Sequence, residues 1–163
     1  INYDAIHANV TYADICKEAY VLGGMTITPV ALNHPNQGNG YQFSENGKNF
    51  VFLTDNELGF RHEGSLSYEN YVAFCQNADL LIHDAEYRNE EYSKRIGWGH
   101  STIEQAVKLA LDAGVKQLGL FHHNQDRFDT AIDDMVADCR QIIAEKKFPL
   151  QCFAVYQGME LSL

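Results

Sequence analysis

Residues 25–57 read Met25-Thr-Ile-Thr-Pro-Val-Ala-Leu-Asn-His-Pro-Asn-Gln-Gly-Asn-Gly-Tyr-Gln-Phe-Ser-Glu-Asn-Gly-Lys-Asn-Phe-Val-Phe-Leu-Thr-Asp-Asn-Glu57. An apolar, β-branched run ends near His34, and a second ends at Asp55. Between them, Gly40 to Phe43 and Phe50 to Leu53 flank Glu45-Asn46-Gly47-Lys48, and Asn-Gly is the favoured pair for a two-residue type I′ hairpin. Strand ends project side chains from rigid elements, so two of them side by side can aim His34 and Asp55 at one point, as a metal site requires. Each residue alone is also an ordinary loop residue.

On the N-terminal side, Tyr20-Val21-Leu22, Gly23-Gly24 and Met25 to Leu32 predict a further hairpin. Pro29 implies an edge or a bulge, because proline cannot donate to a ladder. Ala5, Ile6 and Val10 suggest a strand, and Tyr12 to Ala19 a short helix or turn. On the C-terminal side, helical spacing covers Ser65 to Asn77, and Ala78 to Asp84 is an apolar strand ending in His83-Asp84. There either residue is a local hydrogen-bonding partner or orients a metal ligand. His62 lies in the preceding loop and is expected to be solvated. Glu86 to Gly97 is polar and reads as an exposed loop or short helix, of a length that suggests a surface lid or wall.

Ser101 and Glu104 have capping-box spacing before an apolar helical stripe that Gly114 closes. His100 therefore precedes a helix N-terminus, whose field disfavours an imidazolium and suits proton transfer. Lys116 to Phe121 is a strand followed by His122-His123, Asp129 opens an amphipathic helix, and Leu150 to Tyr156 and Met159 to Leu163 are read as strands. Strands and helices alternate from Phe50 onward, which is an α/β pattern with His34, Asp55, His83 and His122 all following strands.

With 163 residues, 45% of them hydrophobic, the chain bounds at most one domain, and no apolar run reaches membrane-spanning length. Twelve basic residues against 22 acidic give a formal charge of −10, which argues against an extended nucleic-acid surface. Cys16, Cys75, Cys139 and Cys152 form no Cys-x-x-Cys pair and read as free, mostly buried thiols in a reducing cytoplasm. Without an initiator methionine, the chain is expected to be a processed, trimmed or partial product.

Several of these segments together resemble the ribonuclease Z-like and phosphodiesterase-like branch of the metallo-β-lactamase fold superfamily. They are Asn33-His34-Pro35 with Gly40-Tyr41, Thr54-Asp55, Ala78 to His83, Trp98-Gly99-His100-Ser101-Thr102, Phe121-His122 and Gly158-Met159-Glu160-Leu161. The resemblance covers nearly the whole chain, and Gly-His-Ser-Thr is its most branch-specific part. It implies an α/β fold, the C-terminal half of a four-layer αββα sandwich, with residues 1–163 forming a partial domain. The family's His-x-His-x-Asp-His motif is absent, so the N-terminal half would be the missing partner.

By the same resemblance His34 is a metal ligand, Asp55 a carboxylate bridging two metals, and His122 a ligand of the second, with His123 beside it as the alternative. His100 assists proton transfer or holds the scissile phosphate, and Asp55 also belongs to the catalytic set. The cofactors implied are two divalent ions, zinc first, with manganese or iron also compatible. At a separation of about 3.5 to 4 Å two such ions turn a shared water into hydroxide near neutral pH.

The function implied is a phosphodiesterase acting on a small or cyclic phosphodiester. No membrane is involved, nucleic acid is disfavoured, and a homodimer is left open. Hydrolysis of a thioester, lactone or β-lactam, a di-iron redox or sensor role, and a metal-free interaction module are the competing readings. The fragment alone is expected to be inactive.

Overall fold

A computed structural model describes residues 18–163. The expectations for Ala5, Ile6, Val10 and Cys16, and most of that for Tyr12 to Ala19, lie outside the described residues. The elements in chain order are β1 (Tyr20–Leu22), β2 (Met25–Ala31), β3 (Asn39–Glu45), β4 (Lys48–Leu53), α1 (Tyr68–Phe74), β5 (Leu80–Asp84), α2 (Asn89–Tyr92), α3 (Ile103–Asp112), β6 (Gln117–Phe121), α4 (Asp129–Lys146) and β7 (Gln151–Ala154).

The strands form one seven-stranded sheet in sequence order, antiparallel from β1 to β4 and parallel from β4 to β7. The first half is made by tight turns. Gly23 and Gly24 (φ 59° and 95°) join β1 to β2, and Asn46 and Gly47 (φ 50° and 75°) join β3 to β4, the positive-φ pairs a type I′ turn needs. Pro29 pairs with Tyr41 on one side, while the β1 ladder stops at Tyr20 opposite Ile27, so Pro29 sits where no described strand needs its N–H. The second half is made by helical crossovers, with α1, α3 and α4 each returning the chain to the next parallel strand.

Alternation along the strands divides the apolar residues between two faces. Val51, Leu53, Leu81, Leu118, Leu120 and Cys152 join one buried core with Tyr71 and Cys75 of α1, Ile103, Ala106, Val107 and Ala110 of α3, and Met135, Cys139 and Ile143 of α4. The alternate positions carry an aromatic row on the other face. Ring centroids run Tyr41 to Phe43 at 6.2 Å, Phe43 to Phe50 at 5.4 Å, Phe50 to Phe52 at 6.3 Å and Phe52 to Phe121 at 5.7 Å. No described helix packs on this second face, and all four of those phenylalanines remain partly accessible.

Several expectations are corrected. α1 starts at Tyr68, because Ser67 and Asn70 close the N-terminal box there. The box of α3 is Thr102 with Gln105, one residue later than expected. Thr102 Oγ1 accepts from Gln105 N at 3.2 Å and Thr102 N donates to Gln105 Oε1 at 3.1 Å, while Ser101 is used elsewhere. Met159 to Leu163 is not a strand. A turn closed by Met159 N to Tyr156 O, with Gly158 at φ 82°, swings the tail off the β7 ladder. Leu163 then lines a hollow with Met25, Phe43 and Phe50. Glu86 to Gly97 is less exposed than its polarity implied, since Tyr87 and Tyr92 are buried and Tyr92 Oη donates to the buried Glu57 at 2.5 Å.

Candidate metal centre

Three strand ends deliver most of the chemistry to one end of the sheet. β4, β5 and β6 run parallel, with Leu53 level with His83 and Asp84 level with Phe121, so Asp55, Asp84 and His122 emerge together. Asp55 and His122 both hold left-handed backbone (φ 55° and 53°), a conformation that non-glycine residues adopt rarely and that turns each side chain off its strand. β2 runs parallel to β4 but two places away, so His34 reaches the site through a loop three residues beyond Ala31 rather than from the strand end itself.

A buried polar network ties that loop to the segment after β4. Asn33 N donates to Asn56 Oδ1 at 2.9 Å and Glu57 N to Asn33 O at 2.8 Å, and the Asn33 amide donates to the carbonyls of Glu57 and Phe60. Asn56 Nδ2 lies 3.2 Å from His83 Nε2, and His83 Nδ1 lies 2.7 Å from the Asp84 carbonyl. Burial holds the His83 pKa below its ordinary value, so a neutral ring donating from Nδ1 and accepting at Nε2 satisfies both contacts.

Glu57 is fully buried and holds the Gly97–Gly99 turn. Gly97 N and Gly99 N donate to its two oxygens at 2.7 and 2.8 Å, and His62 Nε2 lies 2.8 Å from Oε2, so His62 is a hydrogen-bonded structural residue rather than a solvated one. Gly99 (φ 100°) lies against the His34 and Pro35 rings, where a Cβ would collide. Ser101 Oγ donates to Asn56 O at 2.6 Å and Ser101 N donates to Asp84 Oδ1 at 3.1 Å, fixing the chain after His100 as the Gly99 bond to Glu57 fixes it before.

The resulting cluster is compact. Asp55, Asp84, His100 and His122 each offer one ligand atom, all within 4.8 Å of one another. His122 Nε2 is 2.9 Å from Asp55 Oδ1, and His100 Nδ1 is 2.5 Å from Asp84 Oδ2 and 3.7 Å from Asp55 Oδ1. The His100 and His122 rings stack with centroids 4.5 Å apart, and the His34 ring lies 5.6 Å from His100, beside the four-residue group rather than inside it. Burial pulls the His100 pKa down, but the hydrogen bond and charge of Asp84, with Glu86 and Asp55 behind it, outweigh that and leave it raised. The helix-terminus effect expected from sequence is thus overridden by local carboxylates. Burial lowers His34, which keeps that imidazole neutral and able to ligate.

Two imidazoles among three carboxylates, counting Glu86, concentrate negative charge and N/O donors, a set that fits a borderline divalent cation. His122 faces Asp55, whereas His123 borders a separate hollow with Asp129 and Tyr156. The sequence marks Asp84 only as a local or orienting partner and does not single out Glu86. Asp84's position at the end of a parallel strand, the signal that marked Asp55 and His122, could have found it.

Comparison with known proteins places this geometry in context. Ribonuclease Z of Brevibacillus brevis is 30% identical over 100 residues, covering 59% of this chain and 29% of that protein. The metallo-β-lactamase fold protein YhfI from Bacillus subtilis superimposes with a TM-score of 0.68 at 18% identity, over 88% of this chain and 51% of that one. A diphosphatase of the PhnP family gives 0.65 at 19% identity, over 99% and 52%. The chain therefore spans about a third or less of the curated relatives it matches and about half of these solved structures. Residues 4–123 match the β-lactamase superfamily domain, and the chain belongs to that superfamily, in its ribonuclease Z-like branch with the metallo-β-lactamase fold.

Proposed function

We propose that these residues form the C-terminal half of a metal-dependent hydrolase of small or cyclic phosphodiesters. The observation that carries this reading is the Asp84–His100 pair set against Asp55 and His122. A lone metal-binding pocket needs no such pair, whereas phosphodiester cleavage needs a proton donor for the departing oxygen. The ribonuclease Z relatives, whose name denotes cleavage of RNA, support the same class of bond.

Asp55, His122 and His34 would hold the metal, together with ligands from a preceding half that also covers the aromatic face of the sheet. Zinc fits this donor set, as do manganese and iron. A pair of such ions supplies a nucleophile at neutral pH and positive charge beside the phosphoryl oxygens. Asp84 holds His100 by Nδ1, which leaves Nε2 for the substrate. The charge of Asp84 beside Nδ1 favours the protonated ring, from which Nε2 would give a proton to the leaving alkoxide. The buried thiols of Cys75, Cys139 and Cys152 support a reducing, cytoplasmic compartment.

Metal analysis of a longer chain carrying the preceding half, with turnover of bis-p-nitrophenyl phosphate, tests this. Two equivalents of divalent metal and metal-dependent release of p-nitrophenolate are expected. A metal-loaded protein that cleaves thioesters or lactones and leaves phosphodiesters intact would overturn it.

A further inference from the structure

Glu86 lies just after β5 with one carboxylate oxygen committed and one not. Asn124 Nδ2 donates to Oε1 at 3.1 Å, and Arg127 Nη2 donates to the Glu86 carbonyl at 3.1 Å, so the residue is held from the segment that follows His122. Oε2 faces two imidazoles at nearly equal distance, His100 Nε2 at 3.5 Å and His122 Nδ1 at 3.6 Å. One oxygen in this position cannot serve both nitrogens well.

The rest of the site decides between them. His100 has given Nδ1 to Asp84, so Nε2 is the nitrogen it has left for a substrate. His122 has turned Nε2 to Asp55, and its Nδ1 is buried without a hydrogen-bond partner. Buried polar atoms are nearly always paired, and a metal-ligating histidine characteristically donates its second N–H to a carboxylate or carbonyl. Glu86 Oε2 is the carboxylate oxygen that reaches this Nδ1, at 3.6 Å.

We propose that Glu86 is a positioning residue whose Oε2 accepts the Nδ1 proton of His122, fixing the tautomer and ring angle that present Nε2 beside Asp55. The inference rests on the metal-centre role given to Asp55 and His122. It also explains how a carboxylate so near His100 leaves that ring free, because His122 occupies it.

The test uses the longer chain with the preceding half, zinc as the probe, and two readouts besides activity. These are zinc affinity by competition with a chromophoric chelator, and the His122 tautomer of the zinc-free protein, where no metal on Nε2 dictates it, from long-range proton–nitrogen correlation of its ring. Glu86→Ala is expected to weaken zinc binding by about 10- to 100-fold and to abolish the Nδ1–H preference of His122. Glu86→Gln, isosteric and still an acceptor, should restore that preference and part of the affinity, and it keeps the test open if the alanine variant does not fold.

An unchanged tautomer in Glu86→Ala overturns the proposal, whether zinc binding holds or zinc stoichiometry falls, the latter making Glu86 a direct ligand. So does a Glu86→Gln protein that has lost the Nδ1–H preference. His122→Ala separates the two levels. If it binds zinc as the unsubstituted protein does, the metal-centre reading fails and Glu86 with it; if it loses zinc, failure of the Glu86 variants is a failure of this inference alone.

Discussion

His100 is placed by contacts on three sides: Asp84 Oδ2 at 2.5 Å on its Nδ1, the stacked ring of His122, and the backbone of Ser101 tied to Asp84 Oδ1. If it protonates an alkoxide leaving group, His100→Ala should lower turnover by about 10² to 10⁴ with metal content intact. The loss should shrink for a p-nitrophenyl ester, whose leaving group departs without a proton. Asp84→Asn in the same protein should give a smaller loss with the same leaving-group dependence, because the amide still contacts Nδ1 but withdraws the charge that supports the imidazolium. Metal loss in either variant would instead make that residue a ligand. At this scale the sequence was legible where function coincides with a strand end. Asp55 and His122 follow directly from apolar runs, whereas the glycines that Glu57 holds, Gly97 and Gly99, and the residues that hold Glu86, Asn124 and Arg127, lie 38 to 42 positions away in chain order and needed the loop paths to be known.

The elements were legible in type and less so at their ends. Ser101-x-x-Glu104 and Thr102-x-x-Gln105 are overlapping matches to one capping pattern, and local sequence cannot rank them. The tertiary bonds of Ser101 to Asn56 O and Leu58 N take that hydroxyl out of the cap, which moves the start to Thr102. Parallel strands raise a second question of register, since nothing like the Asn46-Gly47 turn pins β4, β5 and β6 to one another. Asp79 supplies the pin: Oδ2 accepts from Asn49 N at 2.9 Å ahead of β4's pairing with β5, and Oδ1 accepts from Lys116 Nζ at 2.8 Å just before β6. The Lys116 hydrogen bond, then that of Asn49, holds the Asp79 carboxyl below its ordinary pKa, against a smaller opposing effect of burial. A depressed carboxylate contributes stability that is complete above its unfolded pKa and is lost as pH falls through the folded one. Urea midpoints should therefore drop below about pH 4 by more in the unsubstituted protein than in Asp79→Asn, which should itself be weaker by about 1 kcal/mol at neutral pH. Parallel acid profiles for the two would remove Asp79 from the account.

On the scale of the whole molecule, the two faces of the sheet have unequal fates. One is closed by α1, α3 and α4 around a continuous core, and the other carries Tyr41, Phe43, Phe50, Phe52 and Phe121 with no described helix over them. A two-sided apolar sheet calls for layers on both faces, and in the proposed four-layer sandwich a second sheet packs about 10 Å away on this aromatic row. Phe50 lies at the centre of the row, between Phe43 and Phe52. If a preceding half covers it, Phe50→Asp in the longer chain should cost several kcal/mol, about 2 to 3 for the lost apolar burial and more for a carboxylate without a partner. In the 163-residue chain the same carboxylate meets water, so it should cost little in urea unfolding and should reduce self-association in sedimentation velocity. If that half also supplies ligands, the 163-residue chain should bind zinc weakly and turn over no phosphodiester. Equal destabilisation of both chains by Phe50→Asp would mean that the aromatic face is buried by this chain's own residues, and the half-domain assignment would fall with it.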